Sequence, residues 1–119
     1  MPLALIIDDS KAFRASARAL LEADGFEVAE AATGKAGIDA AAERRHDLIL
    51  LDIQLPDLDG FEVAEQLAHL KPPPAAVVLT SSRDGRDYDS FIANSTARGF
   101  IAKNELSAAA IRALLEQAS

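Results

Sequence analysis

At 119 residues with half of them hydrophobic, the chain is long enough to bury one self-sufficient core, and no linker divides it, so residues 1–119 read as a single domain. Twelve Lys and Arg against nineteen Asp and Glu give a net charge of −7, which argues against direct nucleic-acid binding and favours cations and basic partner surfaces. The lack of cysteine excludes disulfides, thiolate metal sites and thiol nucleophiles; no run is apolar enough for a membrane span, and Met1–Leu5 lacks the basic region of a signal peptide, so a cytoplasmic protein is expected.

Leu3 to Ile7 is an uninterrupted apolar run, the pattern of a strand buried on both faces, and it delivers Asp8-Asp9 at its carboxyl end. Lys11 to Ala23 places Phe13, Ala17, Leu20 and Leu21 on one helical face, with Ser10 as N-cap and Gly25 as stop. Phe26 to Ala31 reads as a short strand, and Thr33-Gly34 opens an alanine-rich helix to about Arg45. Leu48 to Leu51 is a second doubly buried strand ending in Asp52. The turn Gln54-Leu55-Pro56-Asp57-Leu58-Asp59-Gly60 follows, with Asp57 and Asp59 read as turn residues.

Gly60 to Leu70 carries the stripe Phe61, Ala64, Leu67, Ala68 and is stopped by Pro72-Pro73-Pro74. Ala75 to Leu79 is a fourth apolar run, ending in Thr80-Ser81-Ser82. The polar loop Arg83 to Asp89 leads to a weaker helix, Tyr88 to Ala97, interrupted by Asn94-Ser95-Thr96. Phe100 to Ala102 is a short fifth strand ending in Lys103. Asn104 is placed to cap a last helix, about Glu105 to Gln117, with Ile111, Leu114 and Leu115 facing the core. His46 and His69 are too far apart in sequence to suggest a ligand pair and read as solvated, as do Arg83, Arg86 and Arg98.

Strands alternating with helices predict an α/β fold with a five-stranded parallel sheet, (βα)5, helices on both faces, and a site outside the carboxyl ends of the strands where the winding reverses. Four strand ends carry polar groups: Asp8-Asp9, Asp52, Thr80-Ser81 and Lys103. If the first and third strands are neighbours, three carboxylates converge. Two carboxylates about 4 Å apart repel by roughly 4 kcal/mol at an effective dielectric near 20, so a cation is called for. Oxygen-only ligands suit Mg²⁺. A divalent ion beside a hydroxyl and a lysine makes a phosphoryl site, with Asp52 able to attack phosphorus.

These motifs, in this order and on these strand ends, resemble a response-regulator receiver domain over the whole chain. The resemblance implies the doubly wound sheet of order 2-1-3-4-5 and two-component phosphorelay signalling. Asp52 resembles the phosphoacceptor, taking phosphate from a histidine kinase or phosphotransfer protein in a step that the domain itself catalyses, without being an enzyme in the usual sense. Asp9, Asp52 and the backbone carbonyl of Gln54 resemble direct Mg²⁺ ligands, with Asp8 acting through water. Thr80, in preference to Ser81, resembles the hydroxyl that moves onto the phosphate. Lys103 resembles the pairing lysine and Phe100 the aromatic switch. The fourth helix, fifth strand and fifth helix would form the surface read by an unknown downstream protein, and the same face leaves a homodimer open. Asn104 stands where the family usually has proline after a cis bond. A non-prolyl cis bond costs about 2.5–4 kcal/mol, so a trans or strained loop is expected.

Two other classes compete with a phosphorylatable signalling module. A degenerate receiver binding its partner without phosphorylation is opposed by the intact Asp9, Asp52 and Lys103. A Mg²⁺ phosphatase with an aspartyl nucleophile wants a carboxylate two residues after it, where this chain has Gln54, and a cap domain. No output domain is read in the sequence, so a stand-alone regulator and a piece of a longer protein are both expected readings.

Overall fold

The computed structural model describes residues 1–82 and 88–116. Its elements in chain order are β1 (Leu3–Ile7), α1 (Lys11–Ala23), β2 (Glu27–Ala31), α2 (Gly34–Glu43), β3 (Leu48–Asp52), α3 (Gly60–Ala68), β4 (Val77–Ser81), α4 (Asp89–Ala93), β5 (Gly99–Ala102) and α5 (Ala108–Glu116). The sheet is parallel throughout, in the order β2-β1-β3-β4-β5. The winding therefore reverses between β1 and β3.

The apolar runs become the three central strands, in which every residue is buried; the edge strands β2 and β5 keep exposed or half-buried positions. Because side chains alternate across a strand, each central strand feeds two cores. Leu5, Ile7, Ile49, Leu51 and Leu79 face α2 and α3, meeting Ala41, Val63 and Leu67. Ala4, Ile6, Leu48, Leu50 and Val78 face α1 and α5, meeting Ala17, Leu21 and Ile111. Full burial of one such residue, Ile111 for example, contributes about 1.5–3 kcal/mol.

Caps fix the helix starts. Ser10 Oγ accepts from Phe13 N, Thr33 Oγ1 from Ala36 N, and Asp59 Oδ1 from Phe61 N and Glu62 N. Gly25, with φ at +93°, turns the chain after α1 in a conformation that suits glycine.

Several expected boundaries shift. The second helix stops at Glu43 rather than Arg45, and the fourth strand runs two residues later, through Thr80 and Ser81. Within α3 it is Val63 that is buried, while Ala68 is exposed. The fourth helix is five residues long. Asn94 Nδ2 donates to Ser90 O and Ser95 Oγ to Ile92 O, so side chains take the carbonyls that another turn would use. Asn104 does not cap α5: Lys103–Glu105 forms a 3-10 turn, and Ser107 Oγ caps by accepting from Ala110 N. Gln117, the expected end, and Arg83 and Arg86 lie outside the described residues.

His46 is 3% exposed, not solvated; its carbonyl accepts from Ala75 N where β3 and β4 begin. Arg98 is half-buried and donates to Leu115 O and Ala75 O, tying β5 to α5 and to the chain entering β4. His69 is exposed, as expected.

Candidate functional site

All five strands point the same way, so the residues at their carboxyl ends share one edge. Asp8 extends β1 by one ladder bond, its N–H donating to Ala31 O at 3.0 Å. Its carboxylate is wholly buried, and Oδ1 accepts from Ser10 N at 2.8 Å. Asp9 beside it is exposed.

Asp52 is the last residue of β3 and 5% exposed. Gln54 N donates to its Oδ1 at 3.1 Å, and Ile53 N continues the ladder to Thr80 O at 3.0 Å. Gly60 lets α3 start directly against this strand end. A Cβ there would stand 2.5 Å from Ile53 Cα and would also strike the Asp52 carbonyl.

Lys103 reaches back from the end of β5. Its Nζ lies 2.8 Å from Asp8 Oδ2 and 3.4 Å from Asp52 Oδ2. The Lys103–Asn104 bond is trans: among the described residues only Lys71–Pro72 is cis. Asp8 Oδ2 accepts no aligned hydrogen bond, and among the described residues the charge that compensates it is that of Lys103.

One carboxylate oxygen from each of Asp8, Asp9 and Asp52 lies within 4.8 Å of the others. Among the described residues, three carboxylates stand against one ammonium, an excess of two negative charges at the mouth of a buried sheet. Burial pushes the Asp52 carboxyl up from its ordinary value, and Asp8 adds to the rise; the Gln54 N–H and Lys103 hold it back. For Lys103, burial works against the ammonium. Its contact with Asp8 and the charges of Asp52 and Asp8 outweigh that, and the net shift is upward. A divalent cation fits this arrangement: it supplies the missing charge, and the donors are all hard oxygens.

Thr80 is the register partner of Asp52 on the neighbouring strand. It is 1% exposed, and its Oγ1 has no hydrogen-bond partner. Ser81 is equally buried at the next position. Phe100 is half-buried on β5, packed against the core on the α3 and α4 side together with Tyr88, Ile92 and Ala97. The strand ends thus bring Asp8, Asp9, Asp52, Lys103 and Thr80 to one place, while Phe100 stands one strand away, paired in register with Leu79.

Four further residues shape the site beyond those that the sequence pattern singles out. The Phe13 ring, read as core, lies under the Lys103 ammonium with its centroid 4.6 Å away. Arg14 Nη1 donates to the Asp8 carbonyl at 2.6 Å while its Nε donates to Glu30 at 2.9 Å, which holds the β1–α1 loop. Asp57 and Asp59, read as turn residues, both cap helices. Asp59 caps α3, and Asp57 Oδ1 and Oδ2 accept from Gly34 N and Lys35 N at the start of α2. The Asp-rich turn was the available signal for capping; nothing local showed which helix Asp57 would reach.

Residues 4–116 match the family described as response regulator receiver domain. Among curated proteins, the virulence factors putative positive transcription regulator BvgA of Bordetella pertussis is 40% identical over 102 residues, covering 85% of this chain and 48% of that protein. The KDP operon transcriptional regulatory protein KdpE of Escherichia coli K12 is 41% identical over 80 residues, covering 67% and 36%. The sensor histidine kinase AtsR of Burkholderia thailandensis is 42% identical over 77 residues, covering 65% and 13%. The chain therefore spans about half or less of the length of these relatives. Among solved structures, a CheY-like response regulator receiver domain protein from Methanospirillum hungatei JF-1 superposes with a TM-score of 0.86 at 28% identity, covering 98% of this chain and 93% of that one. The receiver domain of the putative response regulator NarL from Mycobacterium tuberculosis gives 0.82 at 27%, covering 98% and 94%.

Proposed function

The chain belongs to the response-regulator receiver family, and from that premise we propose that it is a phosphoacceptor module in which Asp52 takes a phosphoryl group from a phosphohistidine on a histidine kinase or phosphotransfer protein. The observation that carries this reading is Lys103 held between the buried carboxylates of Asp8 and Asp52, with Asp9 beside them. Asp8, Asp9, Asp52 and the Gln54 carbonyl would hold Mg²⁺. When bound, the ion supplies positive charge to the phosphoryl oxygens.

The residues of the chain then have defined tasks. An Asp52 carboxylate oxygen forms a bond to phosphorus as the donor's P–N bond breaks, and the departing imidazole keeps the electron pair. The Gln54 N–H fixes the carboxylate at Oδ1, leaving Oδ2 for the attack. Lys103 turns its ammonium from Oδ2 to a phosphoryl oxygen, and the unpartnered Thr80 hydroxyl donates to another. Movement of Thr80 makes room for Phe100 to turn inward, which alters the face built by α4, β5 and α5. That face would serve the downstream protein or a second copy of the chain.

Among the described residues no helix is long and apolar enough to cross a membrane. A cytoplasmic setting, where the kinase's phosphohistidine is presented, fits the reading.

Incubation with acetyl phosphate and Mg²⁺ followed by intact-mass measurement tests this. One added phosphate is expected, lost in hydroxylamine and absent in Asp52→Ala. No gain with donor and metal in excess would replace it by the degenerate reading, a partner-binding module that is not phosphorylated.

A further inference from the structure

The four N–H groups that open an α-helix have no partner within it, so whatever satisfies them is tied to that helix. In α2 the first helical bond runs from Gly37 N to the Thr33 carbonyl at 3.0 Å, and three of the N–H groups ahead of it are capped by side chains. Thr33 Oγ1 accepts from Ala36 N at 3.1 Å. Gly34 N and Lys35 N donate at 2.8 and 2.9 Å to the two oxygens of Asp57, which is more than twenty residues away and belongs to the loop after Asp52.

That loop is fixed at its base as well. Gly60 N donates to Ile53 O at 2.7 Å, and Gln54 and Asp59 form an antiparallel bridge. Asp57 and Leu58 lie at the tip, against Gly34, where a Cβ would come within 3.2 Å of Asp57 Oδ1 and of Leu58 Cβ. The α2 amides also hold the Asp57 carboxyl below its ordinary value, which favours the charged form that both bonds use. With base and tip both pinned, Gln54 has little freedom, and Gln54 is the residue whose N–H fixes Asp52.

We propose that Asp57 is a positioning residue for the metal and phosphoryl site: by clamping the tip of the β3–α3 loop to the N-terminus of α2, it holds Gln54 in place for Mg²⁺ and for Asp52. This rests on the reading of Asp52 and its neighbours given above. Because coupling is reciprocal, occupation of the site also tightens the Asp57 bonds, so the state of Asp52 reaches the β2–α2 corner, at the edge of the sheet opposite the β5 edge that carries Phe100.

The experiment compares the full chain with Asp57→Ala, Asp57→Asn and Thr33→Ala. Thr33→Ala weakens the same helix start without touching the loop, so it controls for helix stability. Mg²⁺ affinity is measured by calorimetry, the phosphorylation rate with acetyl phosphate, and amide hydrogen exchange at Gly34 and Lys35 with and without Mg²⁺. Asp57→Ala is expected to weaken Mg²⁺ binding about tenfold, as loss of a group supporting a metal ligand typically does. Asp57→Asn, which keeps one acceptor oxygen, falls between it and wild type. Thr33→Ala binds Mg²⁺ as wild type does. Exchange at Gly34 and Lys35 slows on adding Mg²⁺ in wild type and in Thr33→Ala. If Asp57→Ala and Thr33→Ala have equal Mg²⁺ affinities and rates, or if exchange in wild type ignores Mg²⁺, Asp57 is only a helix cap. A wild type that binds no Mg²⁺ and gains no phosphate overturns the reading of the site, and this inference with it.

Discussion

Replacing Thr80 by valine should stabilise the protein while damaging the proposed switch. The hydroxyl is buried and unpartnered next to Asp52. Burying a hydroxyl without a bond costs about 1–3 kcal/mol, and valine puts a methyl of similar size in the same place. A gain of about 1–2 kcal/mol is therefore expected. With an unfolding entropy near 2.1 cal/mol/K per residue, a chain of 119 residues unfolds with about 250 cal/mol/K, so each kcal/mol moves Tm by about 4 °C. Thr80→Val should melt about 4–8 °C higher, followed by circular dichroism, with a matching rise in the urea midpoint. Thr80→Ser keeps the hydroxyl and loses the methyl, so it should melt lower than wild type. If Thr80→Val is no more stable than wild type, the hydroxyl has a good partner and the claim that it is kept free for an incoming phosphoryl oxygen is wrong. If the claim is right, the variant still accepts phosphate on Asp52, but Phe100 no longer responds, which fluorine labelling of the phenylalanines can follow.

Three further outcomes are expected. Lys103→Met leaves Asp8 and Asp52 facing each other without a cation and should cost about 1–3 kcal/mol at neutral pH, a figure reduced because the lysine side chain is 19% exposed; Mg²⁺ should restore more stability to the variant than to wild type, measured as the shift in urea midpoint. Gly60→Ala drives a Cβ into the backbone of Ile53, which cannot swing aside, and should destabilise by about 1–3 kcal/mol; a loss under about 0.5 kcal/mol would contradict the tight approach of α3 to β3. His46 is held below its ordinary value of 6.5, first by burial and then by the Arg44 charge, against a polar contact to the Arg44 backbone and the charge of Asp47. The unfolded chain therefore takes a proton that the folded one resists. Stability is complete above about pH 6.5 and declines as pH falls through the histidine range, so the urea midpoint should drop more between pH 7.5 and 5.5 in wild type than in His46→Leu.

The sheet was legible because its three central strands are built on apolar runs; Leu3–Ile7, Leu48–Leu51 and Ala75–Leu79 need no partner information to be recognised, although the last strand begins two residues into its run. The strand-end carboxylates were legible for the same reason, since a residue at the exit of a buried strand has little choice of place. Features set by distant neighbours were not. His46 looks like any polar loop residue, yet it is buried where β3 and β4 begin, its carbonyl accepting from Ala75 N. Arg98 looks like a surface charge until its guanidinium meets the Leu115 and Ala75 carbonyls. Asp57 is separated by more than twenty residues from the amides it caps. The start of α5 is not legible because Asn104 and Ser107 are both good caps, and Lys103–Glu105 forms a 3-10 turn after which Ser107 caps the helix.

Tyr88 packs on Phe61 with ring centroids 6.1 Å apart, and the two rings line a depression shared with Ile53 and Gln54, the residues that follow Asp52. The chain has one tyrosine and no tryptophan. Emission excited beyond the phenylalanine absorption band thus comes from a single ring, next to the loop that follows Asp52. The protein carries its own optical reporter, and rearrangement at that corner can be timed in the native molecule without a dye or an engineered side chain.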